Sequence, residues 1–184
     1  MFDNFKDLVT KIVEATKEKF GSHIIHSNPT AYLYNGGDSC SDLIQDFNSK
    51  SEFGVLGYTI KDEEEIGMLN AEKKRFCHPY KERDVIIFPN NCTQDNIASV
   101  LAHELMHAMF KGISNHTDEG RGYDEACTDY LARIIVGKDY WTSYGDLLKN
   151  PTREKYLDYY EDFVKNMTDE QRTAILECYY GKTE

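Results

Sequence analysis

Two histidines and a glutamate in the segment His103-Glu-Leu-Met-His107 carry the clearest chemical potential in this chain. On a helix of about 3.6 residues per turn, His103 and His107 lie one above the other and can share one metal ion. Glu104 lies about 100° around the helix, beside such an ion rather than on it. Two neutral imidazoles with a neighbouring carboxylate are the ligands and general base of zinc hydrolases. The spacing therefore predicts a zinc centre with Glu104 as the catalytic residue.

The flanking sequence predicts a helix over 94–111 that presents these side chains. Thr93 is a favourable N-cap, and Gln94 and Asp95 suit a first turn near the positive end of the helix dipole. Gly112 ends the periodic pattern. Apolar residues recur before it at core-facing spacing: Ile97, Val100, Leu101 and Leu105. The metal-binding pair is thus expected on a buried helix.

A hydrolytic zinc site has three protein ligands and leaves the fourth position to water, so a third ligand is needed. Glu125 is the preferred candidate because it opens a second helical pattern over 125–136 that ends at Gly137. A rigid helix positions a ligand better than the glycine-rich segment 112–122 does. Three residues in that segment remain as alternatives: His116, Asp118 and Glu119.

Asp129 stands one helical turn after Glu125 and is expected on the same face. From there its carboxylate can accept the free ring N–H of His103 or His107, a bond that fixes the tautomer of a metal-bound histidine. The sequence therefore predicts Asp129 as a residue that supports the ligands rather than one that binds the metal.

The predicted reaction is peptide hydrolysis by a metal-activated water. Zinc lowers the pKa of a bound water toward about 7, and Glu104 can take its proton and deliver it to the leaving amine. The developing oxyanion needs a second hydrogen-bond donor, and the sequence does not single one out. The candidates are His116, Tyr123, Tyr130, Tyr140 and Tyr144.

Longer stretches around these residues resemble known zinc peptidases. The segment 124–129, Asp-Glu-Ala-Cys-Thr-Asp, is similar to the Asn-Glu-Ala-x-Ser-Asp segment of thermolysin-type gluzincins. A closer resemblance is to the ImmA/IrrE-type peptidases, through the strand-like run 84–91, the helix Ala-His-Glu-Leu-Met-His107, and Glu125 followed by Leu131-Ala132. It covers about residues 53–137. The resemblance implies limited cleavage of one or a few intracellular protein partners, often a repressor.

The chain departs from the ImmA/IrrE pattern after the third expected ligand. Thr128 and Asp129 stand where that family has Ala-Asn, Leu131 replaces Phe, and Val136-Gly137 replaces the closing Met-Pro. These differences leave the subfamily and the substrate open. A second function of another class also remains open, a zinc-bound, non-catalytic interaction module that sequesters a regulator, although an intact Glu104 disfavours it.

Composition fits a single soluble domain over residues 1–184. The expected ligand set of His103, His107 and Glu125 predicts one zinc ion per chain. A net charge of −11 disfavours direct nucleic-acid binding, and no apolar run reaches the roughly twenty residues of a membrane span. The N-terminus lacks the pattern of a signal peptide, and the odd number of scattered cysteines indicates reduced thiols. We therefore expect a cytoplasmic enzyme with a protein or peptide substrate and no membrane or nucleic-acid partner.

The remaining patterns predict a zincin-like α+β fold. Strands are expected at 53–60, 66–70 and 85–88, and a short helix at 41–47. An apolar stripe over 2–13 predicts an N-terminal helix that ends near Gly21. Two further helices are expected to pack on the active helix, one over 152–165 and one opened by the capping box Thr168-Asp-Glu-Gln171.

Overall fold

The computed structural model describes residues 4–33, 56–61, 81–88, 92–113, 117–137 and 151–182. Within these ranges the chain forms five α-helices and one three-stranded sheet, which confirms a mixed α+β class. The elements are α1 Phe5–Phe20, β1 Ala31–Leu33, β2 Gly57–Thr59, β3 Val85–Ile87, α2 Ile97–Met109, α3 Asp118–Val136, α4 Pro151–Glu161 and α5 Asp169–Tyr180. A 3-10 turn, Gly21–His23, follows α1, and a π turn, Asp162–Asn166, follows α4.

The sheet has the order β1-β3-β2. β3 pairs in parallel with β1, with Ala31 opposite Val85, and antiparallel with β2, with Gly57 opposite Ile87. All three residues of β3 are buried, as expected for a central strand whose two faces are covered. The strands predicted at 53–60 and 85–88 are present in shorter form. β1 was not predicted because three residues are too few to show a periodic pattern, and 66–70 lies outside the described residues.

Helix α2 forms the centre of the core, with eleven of its thirteen residues buried. It begins at Ile97 rather than at the predicted Gln94, since residues 94–96 form a turn, across which Thr93 and Asn96 bond to each other. The Thr93 amide donates to Asn96 Oδ1 at 2.8 Å, and the Asn96 amide donates to Thr93 Oγ1 at 3.3 Å. Thr93 therefore closes the turn that leads into the helix instead of capping the helix itself.

The C-terminal end of α2 is held by Arg83, which precedes β3. Its Nη1 donates to the carbonyl oxygens of His107 and Phe110, each at 3.1 Å. These carbonyls belong to the last turn, where helical partners run out, so a cation there satisfies them and complements the helix dipole. Gly112, at φ +77°, then turns the chain away from the helix axis.

Helix α3 begins at Asp118, seven residues before the predicted start at Glu125. Thr117 is its N-cap, with a side-chain oxygen that accepts the amide proton of Gly120 at 3.1 Å. The glycines of the predicted loop, Gly120 and Gly122, are instead buried within the first turns. Gly122 is required by packing, because a Cβ there would overlap the ring of Tyr159 on α4. Glycine marks a close helix–helix approach here rather than a loop.

We expect Gly122→Ala to lower the free energy of unfolding by about 1–2 kcal/mol. Because a Cβ there overlaps the Tyr159 ring, the overpacking cost falls in the upper part of the usual range of about 1–3 kcal/mol, and the gain in helix propensity returns only about 1. Urea unfolding followed by circular dichroism measures this difference. Gly21→Ala is the matched control, since Gly21 has φ −50° and a Cβ there meets nothing within 4 Å. That variant should be neutral or more stable by up to about 1 kcal/mol, and equal stability of both variants would contradict the packing argument.

The two C-terminal helices pack mainly on α3, not on α2 as predicted. The predicted capping box of α5 is confirmed: the Gln171 amide donates to Thr168 Oγ1 at 3.2 Å, and the Thr168 amide to Gln171 Oε1 at 2.9 Å. The link to α2 comes from Tyr179, which is fully buried and whose carbonyl accepts the Gly112 amide proton at 3.0 Å.

Cys92, Cys127 and Cys178 are free thiols. No helix in the described ranges is long and apolar enough to cross a membrane.

Candidate metal centre

Three side chains from two helices converge between α2 and α3. His103 Nε2 lies 3.2 Å from Glu125 Oε2, and His107 Nε2 lies 3.3 Å from Glu125 Oε1. One potential ligand atom from each residue lies within 4.8 Å of the others. The histidine side chains are 6% exposed and that of Glu125 is 27% exposed, so the cluster meets solvent on the α3 side. The structure thus brings together the three residues that the sequence predicted as ligands.

The spacing of these atoms fits a small divalent ion. In a tetrahedral zinc site with bonds of 2.0–2.1 Å, neighbouring ligand atoms lie about 3.3 Å apart. The two nitrogen-to-carboxylate distances here, 3.2 and 3.3 Å, match that separation. Two imidazole nitrogens and one carboxylate form a donor set that zinc accepts, and three protein ligands leave a coordination position for water. His103, His107 and Glu125 could therefore hold a metal ion.

The electrostatics of Glu125 favour its charged form. Burial alone would raise the pKa of its carboxyl, but the charges of His107 and His103, together with hydrogen bonds from both rings, hold that pKa well below the ordinary value. A metal ligand must be deprotonated, and the Glu125 carboxyl already is, whereas the ring protons that it accepts from the two Nε2 atoms would leave when a cation binds. Glu125 is prepared for this role by its two histidine neighbours.

The outer nitrogen of His103 is held by Asp129, the residue that the sequence predicted for such support. His103 Nδ1 lies 2.9 Å from Asp129 Oδ1, and both side chains are almost fully buried. A carboxylate only accepts hydrogen bonds, so this contact, shorter than the 3.2 Å contact of Nε2 with Glu125, keeps a proton on Nδ1 when a cation displaces the proton from Nε2. Nε2 of His103 is then the nitrogen available to a metal ion.

The outer nitrogen of His107 is surrounded by residues that sequence reasoning missed. His107 Nδ1 lies 3.3 Å from Thr128 Oγ1 and 3.5 Å from Asp124 Oδ2. Asp124 is fixed in place because its Oδ1 accepts the Ile113 amide proton at 2.7 Å. The only signal for this pair in the sequence is that Asp124 and Thr128 stand four residues apart, which places them on one face of α3.

Glu104 lies against the sheet, on the side of α2 that faces β2. Thr59, at 3% exposure, has its hydroxyl 2.8 Å from Glu104 Oε2 and 2.9 Å from the backbone oxygen of the same residue. A Cβ at Gly57 would come within 2.6 Å of Glu104 Cγ, so the glutamate occupies the space that a side chain at position 57 would fill. The carboxylate is thereby given one well-defined position against β2, on the face of α2 next to the one that carries the histidines.

No family model, curated protein or solved structure significantly matches this chain. The likeness to the ImmA/IrrE-type peptidases therefore rests on the motifs in the sequence. What the site can do has to be argued from its own geometry.

The structure does not bring Tyr123 or Tyr130 to the cluster. Tyr123 and Tyr130 lie about 160° and 140° around α3 from Glu125, on the opposite face of the helix. The Tyr123 hydroxyl donates to Asp162 Oδ2 at 3.1 Å, and burial followed by this bond raises its pKa to about 12. The Tyr130 ring packs edge-on against Phe163. These contacts bind α3 to the C-terminal helices, so both tyrosines stabilise the fold.

The alternative ligands divide into two groups. Asp118 and Glu119 lie exposed in the first turn of α3, almost two helical turns before Glu125, and neither belongs to the candidate metal cluster. His116, Tyr140 and Tyr144 lie outside the described residues. Of the candidate third ligands that the structure describes, Glu125 alone joins the two histidines.

The Cys92 thiol does not take part in the cluster. Burial, and then the charge of Glu104, raise the pKa of Cys92 to about 12. Its Sγ instead contacts the Leu56 carbonyl oxygen at 3.6 Å. Because only the thiolate binds metal well, Cys92 remains a neutral packing residue.

Proposed function

We propose that this protein is a zinc-dependent endopeptidase of the zincin-like, gluzincin type. The observation that carries the proposal is the convergence of His103, His107 and Glu125 on one point between two helices, with an acid on the adjacent face of α2. A structural zinc site is usually closed by four protein ligands and has no use for a general base. The three-ligand set with Glu104 beside it favours hydrolysis.

Each residue of the site has a defined part in this reaction. When bound by the two histidines and Glu125, zinc would supply the Lewis acidity that activates water and polarises a peptide carbonyl. Glu104 accepts the proton of the attacking water and later delivers it to the leaving amine. Thr59 orients Glu104 through its hydroxyl, and Asp129 keeps the His103 proton on the outer nitrogen.

The architecture also supports an extended peptide as substrate. Among the described strands, β2 is an outer strand of the sheet, and its Thr59 bonds directly to Glu104. A peptide that pairs with this strand through backbone hydrogen bonds would present successive peptide groups next to the acid. The motif resemblance to ImmA/IrrE-type peptidases favours limited cleavage of an intracellular protein partner, with a repressor as one class of target.

The test combines metal content with proteolysis. We expect elemental analysis after reconstitution with zinc to give about one zinc ion per chain, as three converging ligands predict. The loaded protein, incubated with a peptide library made by digesting a whole proteome, should generate new N-termini detected by mass spectrometry. The same protein stripped by a chelator is the matched control and should generate none.

The two measurements separate the candidate functions. Stoichiometric zinc without new N-termini would overturn the peptidase and favour the non-catalytic module that sequesters a regulator. No bound zinc would overturn both, and the histidines would then be a buried pair whose ring nitrogens are satisfied by neighbouring protein groups. Cleavage that survives metal removal would also contradict the proposal.

A further inference from the structure

A buried chain of polar contacts runs from the metal-binding face of α2 to the C-terminal helix. His107 Nδ1 lies 3.3 Å from Thr128 Oγ1, and Thr128 Oγ1 lies 2.9 Å from the hydroxyl oxygen of Tyr179. Thr128 and Tyr179 are both 0% exposed. Because these groups are buried, each donor and acceptor among them needs a hydrogen-bond partner, since an unpaired polar group away from water destabilises the fold.

We propose that Tyr179 is a positioning residue for the metal centre: acting through Thr128, it keeps the ring proton of His107 on Nδ1 and leaves Nε2 available for the metal. The inference deepens the proposed function and rests on it for the identity of the ion. The hydrogen-bond geometry of His107, Thr128 and Tyr179 supports the positioning role without reference to any activity.

The protons can be assigned by counting donors. Thr128 has one hydroxyl proton, and its shortest contact is with the Asp124 backbone oxygen at 2.8 Å, which can only accept. With that proton committed, the Thr128 oxygen can only accept from its other two neighbours. The Tyr179 hydroxyl then donates to it, and His107 Nδ1 must carry the proton in order to bond to the same oxygen.

The competing arrangement is less well matched to the distances. If Thr128 donated to His107 Nδ1, it would use the longer 3.3 Å contact in place of the 2.8 Å contact to Asp124. The ring proton would then sit on Nε2, the nitrogen that faces Glu125. Asp124 Oδ2, 3.5 Å from Nδ1, attracts the proton to that nitrogen, whereas Glu125 Oε1, 3.3 Å from Nε2, attracts it to the other. A cation held between His107 and Glu125 would remove the second attraction and leave the first.

Tyr179 is well placed to act as a fixed donor. Its carbonyl accepts the Gly112 amide proton at 3.0 Å, and its ring packs on Phe110 with centroids 5.7 Å apart. These contacts hold α5 against the end of α2, so the hydroxyl has a set position relative to Thr128. Without it, the Thr128 oxygen loses one of its three hydrogen-bonding neighbours and is held less firmly as the acceptor that faces His107 Nδ1.

The first experiment uses the metal-free full-length protein, so that it does not depend on zinc. In that state Glu125 competes for the proton at Nε2, and the tautomer balance of His107 reports the strength of the opposing contacts. At a pH where the ring carries one proton, we expect nitrogen-15 NMR to show a share of the Nδ1–H form that is set by Thr128 and Asp124 at Nδ1 against Glu125 at Nε2. Tyr179→Phe and Thr128→Val should lower its share, and Thr128→Ser should restore it.

The second experiment measures zinc affinity by competition with a chromophoric chelator. We expect Tyr179→Phe to weaken zinc binding by about 10-fold, the lower end of the effect of outer-shell partners. Tyr180→Phe is the matched control, since Tyr180 is the next residue of α5 and its ring packs on Phe110 without joining the chain to Thr128. The control should bind zinc like the original protein.

The outcomes distinguish this inference from the proposed function. An unchanged tautomer balance and unchanged affinity in Tyr179→Phe would overturn the positioning role and leave a zinc enzyme intact. A changed tautomer balance in a protein that binds no zinc would support the hydrogen-bond assignment and overturn the metal-dependent function. Equal losses of affinity in Tyr179→Phe and Tyr180→Phe would show a general packing effect and contradict the inference.

Discussion

Glu104→Gln should lower the rate of peptide cleavage by about 10²- to 10⁴-fold while leaving zinc bound, the range that general-base catalysis contributes. Glutamine has the shape of glutamate, and its carbonyl oxygen can still accept the Thr59 hydroxyl proton. It cannot accept a proton from water, so the loss falls on the chemical step. His103, His107 and Glu125 are untouched, and the metal content should stay the same.

The measurement is the rate of appearance of new N-termini in the peptide-library assay, with zinc content determined on the same samples. Glu119→Gln is the matched control, because it removes the same charge from an exposed position in the first turn of α3. The control should cleave at the original rate. Unchanged cleavage by Glu104→Gln would show that another group is the base, and loss of zinc from it would show that Glu104 is a ligand.

Glu125→Ala should weaken zinc binding by more than about 100-fold, since even outer-shell partners of metal ligands are worth about 10- to 100-fold. The substitution removes the only anionic member of the three-residue cluster and the group that both Nε2 atoms face. Two neutral imidazoles on one helix would remain, and they form an incomplete site. Cleavage should be lost with the metal.

Competition with a chromophoric chelator gives the affinity, and elemental analysis gives the amount retained after dialysis. Glu119→Ala serves as control and also examines the alternative ligand, because both glutamates belong to α3 and only Glu125 contacts the histidines. Full zinc affinity in Glu125→Ala would move the search for the third ligand to His116, Asp118 and Glu119. A loss confined to Glu119→Ala would identify Glu119 directly.

The parts of the site that sequence alone predicts are those set by local helix geometry. His103, Glu104 and His107 are related by their spacing on one helix, and Asp129 follows Glu125 by one turn of another. Periodicity places such groups relative to each other before any tertiary contact is known. Periodicity cannot show that the two helices meet. That contact was expected only because the zinc site needs a third ligand and Glu125 could supply it.

The features that the sequence did not predict depend on contacts between distant segments. Tyr179 reaches Thr128 across 51 positions, and Thr59 reaches Glu104 across 45. The start of α3 was placed too late because Gly120 and Gly122 suggested a loop. Gly122 is required because the Tyr159 ring on α4 leaves no room for a Cβ, and nothing in the neighbouring sequence indicates this contact.

The near-complete burial of α2 has a consequence for how this protein can change. Leu105 and Met106, which stand between the two histidines, are 0% exposed, so the helix that carries the chemistry is also the helix around which the core is built. Most substitutions that alter it must cost stability before they alter reactivity. Diversity in what the site accepts therefore has to arise on α3, on β2 and in the connecting segments rather than on α2.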